Sequence, residues 1–331
     1  MTDEGQPTRR EHGLQTPADF PPTHGTDPHD EREVLSDDGY SDGTEIEARS
    51  QWDLFRRKFF RHKFAIGSLV FLVLIGIGAF FAEQIAPYGY DEINVVRANT
   101  PPTFQDWHLF GTDQLGRDYF SRVLYGTRTS LQVAVVVSIL STAIGTAIGA
   151  AAGFYRGWVD SILMRFTDLV LILPTLAVLL VAAALFGQGS PLRIAIILSL
   201  LFWVSLARIV RGVFLSLREM EYVQAARASG ASDLRIMFRH MLPNTIGPII
   251  VNMTLVLAGA ILTEATLAFL GFGVNPPTPA LGRLISDGRS SMQSMWWLII
   301  MPGVTLVAIA LAINFVGDGL RDGLDPTQQE N

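Results

Sequence analysis

The sequence predicts an all-α integral membrane protein, a six-transmembrane-helix bundle behind a disordered N-terminal tail. Three observations carry this. Six apolar stretches are long enough to cross a bilayer, which takes roughly 20 residues of helix. No segment shows the strand-length alternation of a membrane β-barrel. Charge is segregated: residues 1–50 hold thirteen Asp/Glu against four Lys/Arg, while the 331-residue chain carries only −6. The acidity therefore belongs to the tail, and residues 51–331 are net basic. The mean hydropathy of +0.32 is the average of these two unlike parts.

Residues 1–50 are rich in Asp, Glu, Gly, Pro, Thr and Ser. Such a segment buries too little apolar surface to offset the entropy of ordering, so it reads as a disordered acidic tail. It has no apolar h-region, which argues against a secretory signal. His24 and His29 read as solvated tail residues rather than metal ligands. Arg56, Arg57, Lys58, Arg61 and Lys63 follow, a basic cluster that sets the topology of the first span.

The expected spans are Phe64–Ala86, Leu131–Phe154, Phe166–Phe186, Ile194–Val213, Ile246–Phe269 and Trp297–Val316. Residues 51–128 make up the first span and an extracytoplasmic segment. Residues 129–320 form the five-helix core with its loop at 214–243, and residues 321–331 a C-terminal tail. With the N-terminus inside, the inner segments carry 14 basic residues and the outer ones 7, so both termini are expected in the cytoplasm. Asp113/Arg117 and Asp118/Arg122 stand at i, i+4 and suggest a short surface helix held by local pairs. Gly145, Gly149 and Gly153 recur every four residues in span two, spacing that allows close approach of another helix. That helix could belong to a second subunit or to this chain. Pro174 is expected to kink span three. Asp168 lies near the interface and reads as solvated. Glu264 is the one carboxylate well inside a span. A charge there is costly, so it should face the bundle or water. It is either a pathway or substrate-amine contact, or a structural hydrogen bond to a neighbouring helix or to a partner subunit.

Between spans four and five lies a polar interruption, Gln224–Asn244, reading QAARASGASDLRIMFRHMLPN. The helix of span four is expected to continue through Leu217 and Tyr222 to Ala228, with Gly230 ending it in the left-handed conformation. Ser232 is an N-cap candidate for a second helix. In it, Leu234, Met237, Phe238 and Met241 fall at i, i+3, i+4 and i+7 and form one apolar face, with Arg235 and Arg239 on the other. Such a helix can lie on a membrane or dock into a groove of a soluble partner.

The spacing Ala225-Ala226, Gly230, Leu242-Pro243 resembles the coupling loop of ABC-importer permeases. Gln224 and His240 match the variant found in the dipeptide/oligopeptide branch. The opening FRRKFFRHKFAIGSLVFLVLIG, the stretch FGTDQLGRDYFSRVLYGTRTSL after span one, ILTEATLAFLGFG in span five and AINFVGDGLRDGLDP near the end resemble the same subfamily. The resemblance covers about residues 51–327. At Ala280-Leu281 the chain departs from the Ser-Trp pair common in the subfamily. The resemblance implies a type I ABC importer permease in the bacterial cell (plasma/inner) membrane. Its implied partners are a second homologous permease, two cytoplasmic ABC ATPase subunits, an extracytoplasmic solute-binding protein and the lipid bilayer, with no nucleic acid. The implied cargo is di- or oligopeptide, with nickel or another small solute as the alternative. ATPase coupling is carried over to Glu221, Ala225, Ala226, Gly230, Leu234, Met237, Phe238 and Met241.

Composition narrows the remaining classes. There are no cysteines, which excludes thiolate catalysis, disulfides and Cys-ligated zinc. The two lysines, Lys58 and Lys63, do not follow a glycine, so the chain has no GxxxxGK[ST] loop. No cofactor is expected on this chain, and ATP with Mg would bind partner ATPases. No H-E-x-x-H occurs. A self-contained carrier or channel would need intramembrane ion ligands, for which Glu264 alone is thin support.

Overall fold

A computed structural model describes residues 59–186 and 189–324. The tail 1–50, the basic residues Arg56, Arg57 and Lys58, and the segment after Leu324 lie outside the described residues. Four helices are long and apolar enough to cross a membrane, and six spans result if each of two bent pairs counts as one. Among the described residues the β content is two isolated bridges, Thr112 with Asp118 and Gly189 with Val274.

Helix α1 (Lys63–Phe80) is capped by His62, whose Nδ1 accepts from the Ala65 N–H at 3.1 Å. A break at Phe81 separates it from the one-turn α2 (Ala82–Ile85), so the first expected span is interrupted near its end. Helix α3 (Tyr119–Tyr155) is longer than its expected span, because Asp118 starts it well before the apolar run. The Asp118 carboxylate accepts from both the N–H and the hydroxyl of Ser121 at 2.7 Å. Span three is broken: α4 (Gly157–Ile172) and α5 (Thr175–Phe186) meet at 87°. Pro174 at the junction supplies no N–H and disfavours helix at Leu173, whose ψ of 134° is extended. Helices α6 (Pro191–Phe202) and α7 (Val204–Arg218) meet at a milder 44° beside Trp203. Helix α10 (Leu242–Phe269), the short α11 (Leu281–Gly288) and α12 (Trp297–Leu324) complete the bundle.

The glycine stripe of span two packs inside this chain, which settles the two readings left open above. A Cβ on Gly149 would lie 2.4 Å from the Ala207 carbonyl oxygen, and one on Gly153 would lie 2.6 Å from Phe214 Cβ. The stripe thus lets α3 and α7 pack backbone to backbone. Two ion pairs join the foot of α4 to α7. Asp160 accepts from Arg211 through both carboxylate oxygens at 2.5 and 2.6 Å, and Asp168 pairs with Arg208. Asp168 is therefore paired as well as solvated.

The segment before α3 is not the surface helix that the i, i+4 pairs suggest. Gly111 and Gly116 adopt left-handed φ of 75° and 73°, and a Cβ on Gly116 would fall 1.8 Å from the Asn94 carbonyl oxygen. The chain folds into a tight corner with its charges turned inward. Asp113 does pair with Arg117 at 2.7 Å, and it also holds Arg122 at 2.6 Å, with the Asp113 and Arg122 side chains only 7% and 6% exposed. Asp118 is committed to the helix cap and to His108 Nδ1 at 2.9 Å, so it forms no ion pair with Arg122. Tyr88 stacks on His108, and Trp297 Nε1 donates to the Thr112 carbonyl at 3.1 Å. This block fastens the start of α3 to the start of α12.

Candidate functional site

The loop between spans four and five is rooted in a small core of its own. Phe154 from α3 and Leu206, Val210 and Phe214 from α7 pack with Val223, Ile236 and Met241 from the loop. Helix α7 ends at Arg218, and a short break leads to α8 (Glu221–Ala228). The expected continuous helix to Ala228 is therefore interrupted at Glu219-Met220, where Met220 is extended. Gly230 ends α8 with φ of 77°. The Gly230 N–H donates to the Arg227 carbonyl at 3.0 Å and the Ala231 N–H reaches back to Ala226 at 3.1 Å. This is a glycine-centred helix stop of the kind the sequence pattern suggests.

The second helix departs from the expected regular amphipathic segment. Helix α9 (Asp233–Ile236) passes into a π-helical turn, Met237–Met241, which runs straight into α10. Ser232 occupies the N-cap position, but its side chain makes no capping hydrogen bond. The π-turn is closed by the Leu242 N–H donating to the Met237 carbonyl, five residues back. One extra residue per turn shifts the phase. Ile236 and Met241, five apart, both turn inward and are fully buried, while Leu234 and Phe238 stay outside at 62% and 63% exposure. The expected face of Leu234, Met237, Phe238 and Met241 is thereby corrected. Met241 belongs to the core under the loop, Met237 is half-buried, and Leu234 and Phe238 are the outward pair, flanked by exposed Arg235 and Arg239. Glu221 and Ala225 are exposed on α8, and Ala226 is half-buried against the loop core. Asn244 Nδ2 donates to the His240 carbonyl at 2.7 Å and to Tyr222 Oη at 3.4 Å, tying α10 to α8.

Glu264 is fully buried. Its Oε2 accepts from Ser130 Oγ at 2.9 Å, and that hydroxyl in turn accepts the Leu281 N–H at 3.2 Å. One side chain and one hydroxyl therefore join α10, α3 and the start of α11. Its other oxygen is buried without a hydrogen-bond partner. Ala280 and Leu281, where the chain departs from its subfamily pattern, are fully buried and reach Gly126 on α3, whose Cβ would stand 3.3 Å from the Ala280 carbonyl carbon. Sequence reasoning missed the ion pairs between α4 and α7. Asp160 and Arg211 are 51 residues apart and carry no joint sequence signal.

Bent apolar spans, a corner of paired buried charges before α3, a buried Glu264 within α10 and a loop with outward apolar side chains describe a polytopic helical membrane protein. Comparison with known proteins makes this particular. Residues 145–329 match the family described as the binding-protein-dependent transport system inner membrane component, and residues 50–102 match the N-terminal TM domain of oligopeptide transport permease C. The chain is 40% identical over 289 residues to the Oligopeptide transport system permease protein OppC of Escherichia coli strain K12, covering 87% of this chain and 95% of that protein. It is 43% identical over 275 residues to a putative peptide transport system permease protein of Brucella abortus, covering 82% and 91%. It is 37% identical over 281 residues to a glutathione transport system permease protein of E. coli, covering 85% and 92%. Among solved structures, the inward-facing MetNI methionine ABC transporter is similar in fold, with a TM-score of 0.50 at 18% identity over 62% of this chain and 96% of that one. The chain belongs to the family of binding-protein-dependent transport system inner membrane components. It is an integral inner-membrane permease with the type I ABC importer permease fold.

Proposed function

We propose that this chain is one of two membrane subunits of an ATP-driven importer of di- or oligopeptides. It forms the translocation path with a second homologous permease and receives cargo from an extracytoplasmic solute-binding protein. Its own sequence has no phosphate-binding loop, so ATP and Mg belong to two cytoplasmic ATPase subunits. The bias of basic residues puts both termini and the Gln224–Asn244 loop on the cytoplasmic side. The observation that carries the coupling role is the outward pair Leu234 and Phe238 on a loop whose neighbouring Ile236 and Met241 are buried. An apolar pair held in place by its own core is suited to enter a groove on a soluble partner. Gly230 sets the angle between α8 and that pair, while Glu221 and Ala225 present the adjoining surface. Peptide cargo is supported by the names of the relatives, which include oligopeptide and glutathione permeases. The arrangement of Glu264 favours a structural role between helices over a substrate contact.

The test is co-reconstitution with the second permease, the ATPases and the binding protein, with ATP-driven uptake of a labelled oligopeptide as readout. Leu234→Asp combined with Phe238→Asp is expected to lower uptake at least about tenfold, equivalent to about 1.4 kcal/mol of lost contact, while the two permeases still co-purify. Undiminished uptake would show that the coupling surface lies elsewhere. Uptake by this chain alone, without added ATPases, would favour a self-contained carrier.

A further inference from the structure

At the root of the loop, where it meets the α3–α4 corner, lies a cleft of about 450 Å³ separate from the outward pair Leu234 and Phe238. It is lined by Arg156, Arg218, Glu219, Gln224, Arg227 and Ala228. Three guanidinium groups thus face one carboxylate, and the lining is net positive by two charges. That carboxylate is already engaged, with Glu219 Oε1 2.6 Å from Arg156 Nη2. Arg218 donates one N–H to the Phe154 carbonyl at 2.6 Å, and Arg227 lies over the Phe154 ring at 5.7 Å from its centroid. Gln224 Nε2 donates to the Glu219 carbonyl at 3.1 Å, and Asp233 is the other acid in electrostatic range of Arg218. Each guanidinium has five N–H donors, so these contacts leave many of them available. Like charges gathered in one cleft repel, and an anion between them removes that repulsion.

The surroundings indicate which anion. Arg156 occupies the corner between α3 and α4 with φ of 55°, flanked by the exposed aromatics Tyr155 and Trp158. Tyr and Trp at the end of an apolar helix collect at the headgroup level of a bilayer. From there Ile162, Phe166 and Leu169 continue along α4 as an exposed apolar stripe at i, i+4 and i+7, a surface suited to acyl chains. We propose that the cleft binds the phosphate of an anionic phospholipid headgroup. Arg156, Arg218 and Arg227 are its ligands, as forked guanidinium donors suit phosphate oxygens. Since Arg156 belongs to the α3–α4 corner and Arg227 to α8, the bound headgroup clamps the loop to the bundle.

The purified protein in detergent is offered equal amounts of phosphatidylglycerol and phosphatidylcholine with the same acyl chains, and retained lipid is read by native mass spectrometry. Phosphatidylglycerol should be retained in preference. Arg227→Gln should weaken that preference about fivefold, the value of one basic side chain near an anionic surface. Glu219→Gln, which removes the one competing carboxylate from the lining, should strengthen it, a gain that misfolding cannot produce. Arg239→Gln, a surface arginine outside the cleft, should leave it unchanged. Equal retention of the two lipids, or an Arg239→Gln effect as large as that of Arg227→Gln, overturns the proposal. A third arm adds millimolar inorganic phosphate. Displacement of the lipid by inorganic phosphate identifies a free-anion site and overturns the lipid assignment, whereas persistence of the lipid supports it.

Discussion

The corner before α3 and the loop after α7 treat their side chains in opposite ways. The corner turns charge inward: Asp113, Asp118 and Arg122 are buried, each with a partner, and the backbone makes two glycine turns to permit it. The loop turns apolar surface outward, leaving Leu234 and Phe238 exposed above a core that includes Ile236 and Met241. Burying a charge is costly unless it is paired, and the corner pairs Arg122 with Asp113 and Asp118 with His108, although Arg122 Nε itself is buried without a partner. Large apolar side chains left outside need lipid or a partner to cover them, so the loop, unlike the corner, presents surface to something beyond the chain. The contrast separates residues that hold the permease together from residues available for contact.

The largest effect should come from cutting the corner. Asp113→Ala leaves Arg122 buried without its anion and should cost about 3–5 kcal/mol, read as a fall in thermal stability of the detergent-solubilised protein. A change below about 1 kcal/mol would mean that the corner is not the joint described. Next comes a comparison within the loop. Ile236→Ala should destabilise by about 2–5 kcal/mol as a core truncation. Leu234→Ala should stay within about 0.5 kcal/mol, as exposed positions do, while reducing coupled uptake. Equal stability losses at the two sites would erase the division between root and contact surface.

A third effect probes the seam that joins the two regions. Gly149→Ala pushes a methyl group against the Ala207 backbone and should cost about 1–3 kcal/mol. Gly212→Ala on α7, where a Cβ meets nothing within 4 Å, should be neutral or stabilising by up to about 1 kcal/mol. Melting curves of the two variants measure the difference. The narrowest test is at Gly230. There is open space around its Cβ position, so Gly230→Ala is opposed only by the left-handed φ, at about 1–2 kcal/mol. Such a variant should assemble with its partners and show reduced peptide-stimulated ATP hydrolysis. Wild-type stimulation would mean that the turn angle is not part of coupling.

Several features were legible in the residues themselves because they depend on local chemistry. Hydropathy located the six apolar stretches, Pro174 marked the break between α4 and α5, and Gly230 marked the end of α8. These signals act over one or two turns of chain. Other features depended on neighbours distant in sequence. The i, i+4 spacing suggested Asp118 for Arg122, yet the pair formed is with Asp113, because capping α3 and binding His108 occupy Asp118. Periodicity put Met241 on the same face as Phe238, yet the π-turn rotates it beneath the loop.

The sequence by itself determined the helical class, the family pattern and the place of the loop between spans four and five. Those follow from the cost of exposing polar backbone to lipid and from short-range helix signals. Only the tertiary structure decided that the glycine stripe of α3 serves α7, that Leu234 and Phe238 are the outward pair, and that arginines from the α3–α4 corner, α7 and α8 share one cleft. Packing against Phe214 and close contact with the α7 backbone set those outcomes, and both are relations between segments far apart in the chain.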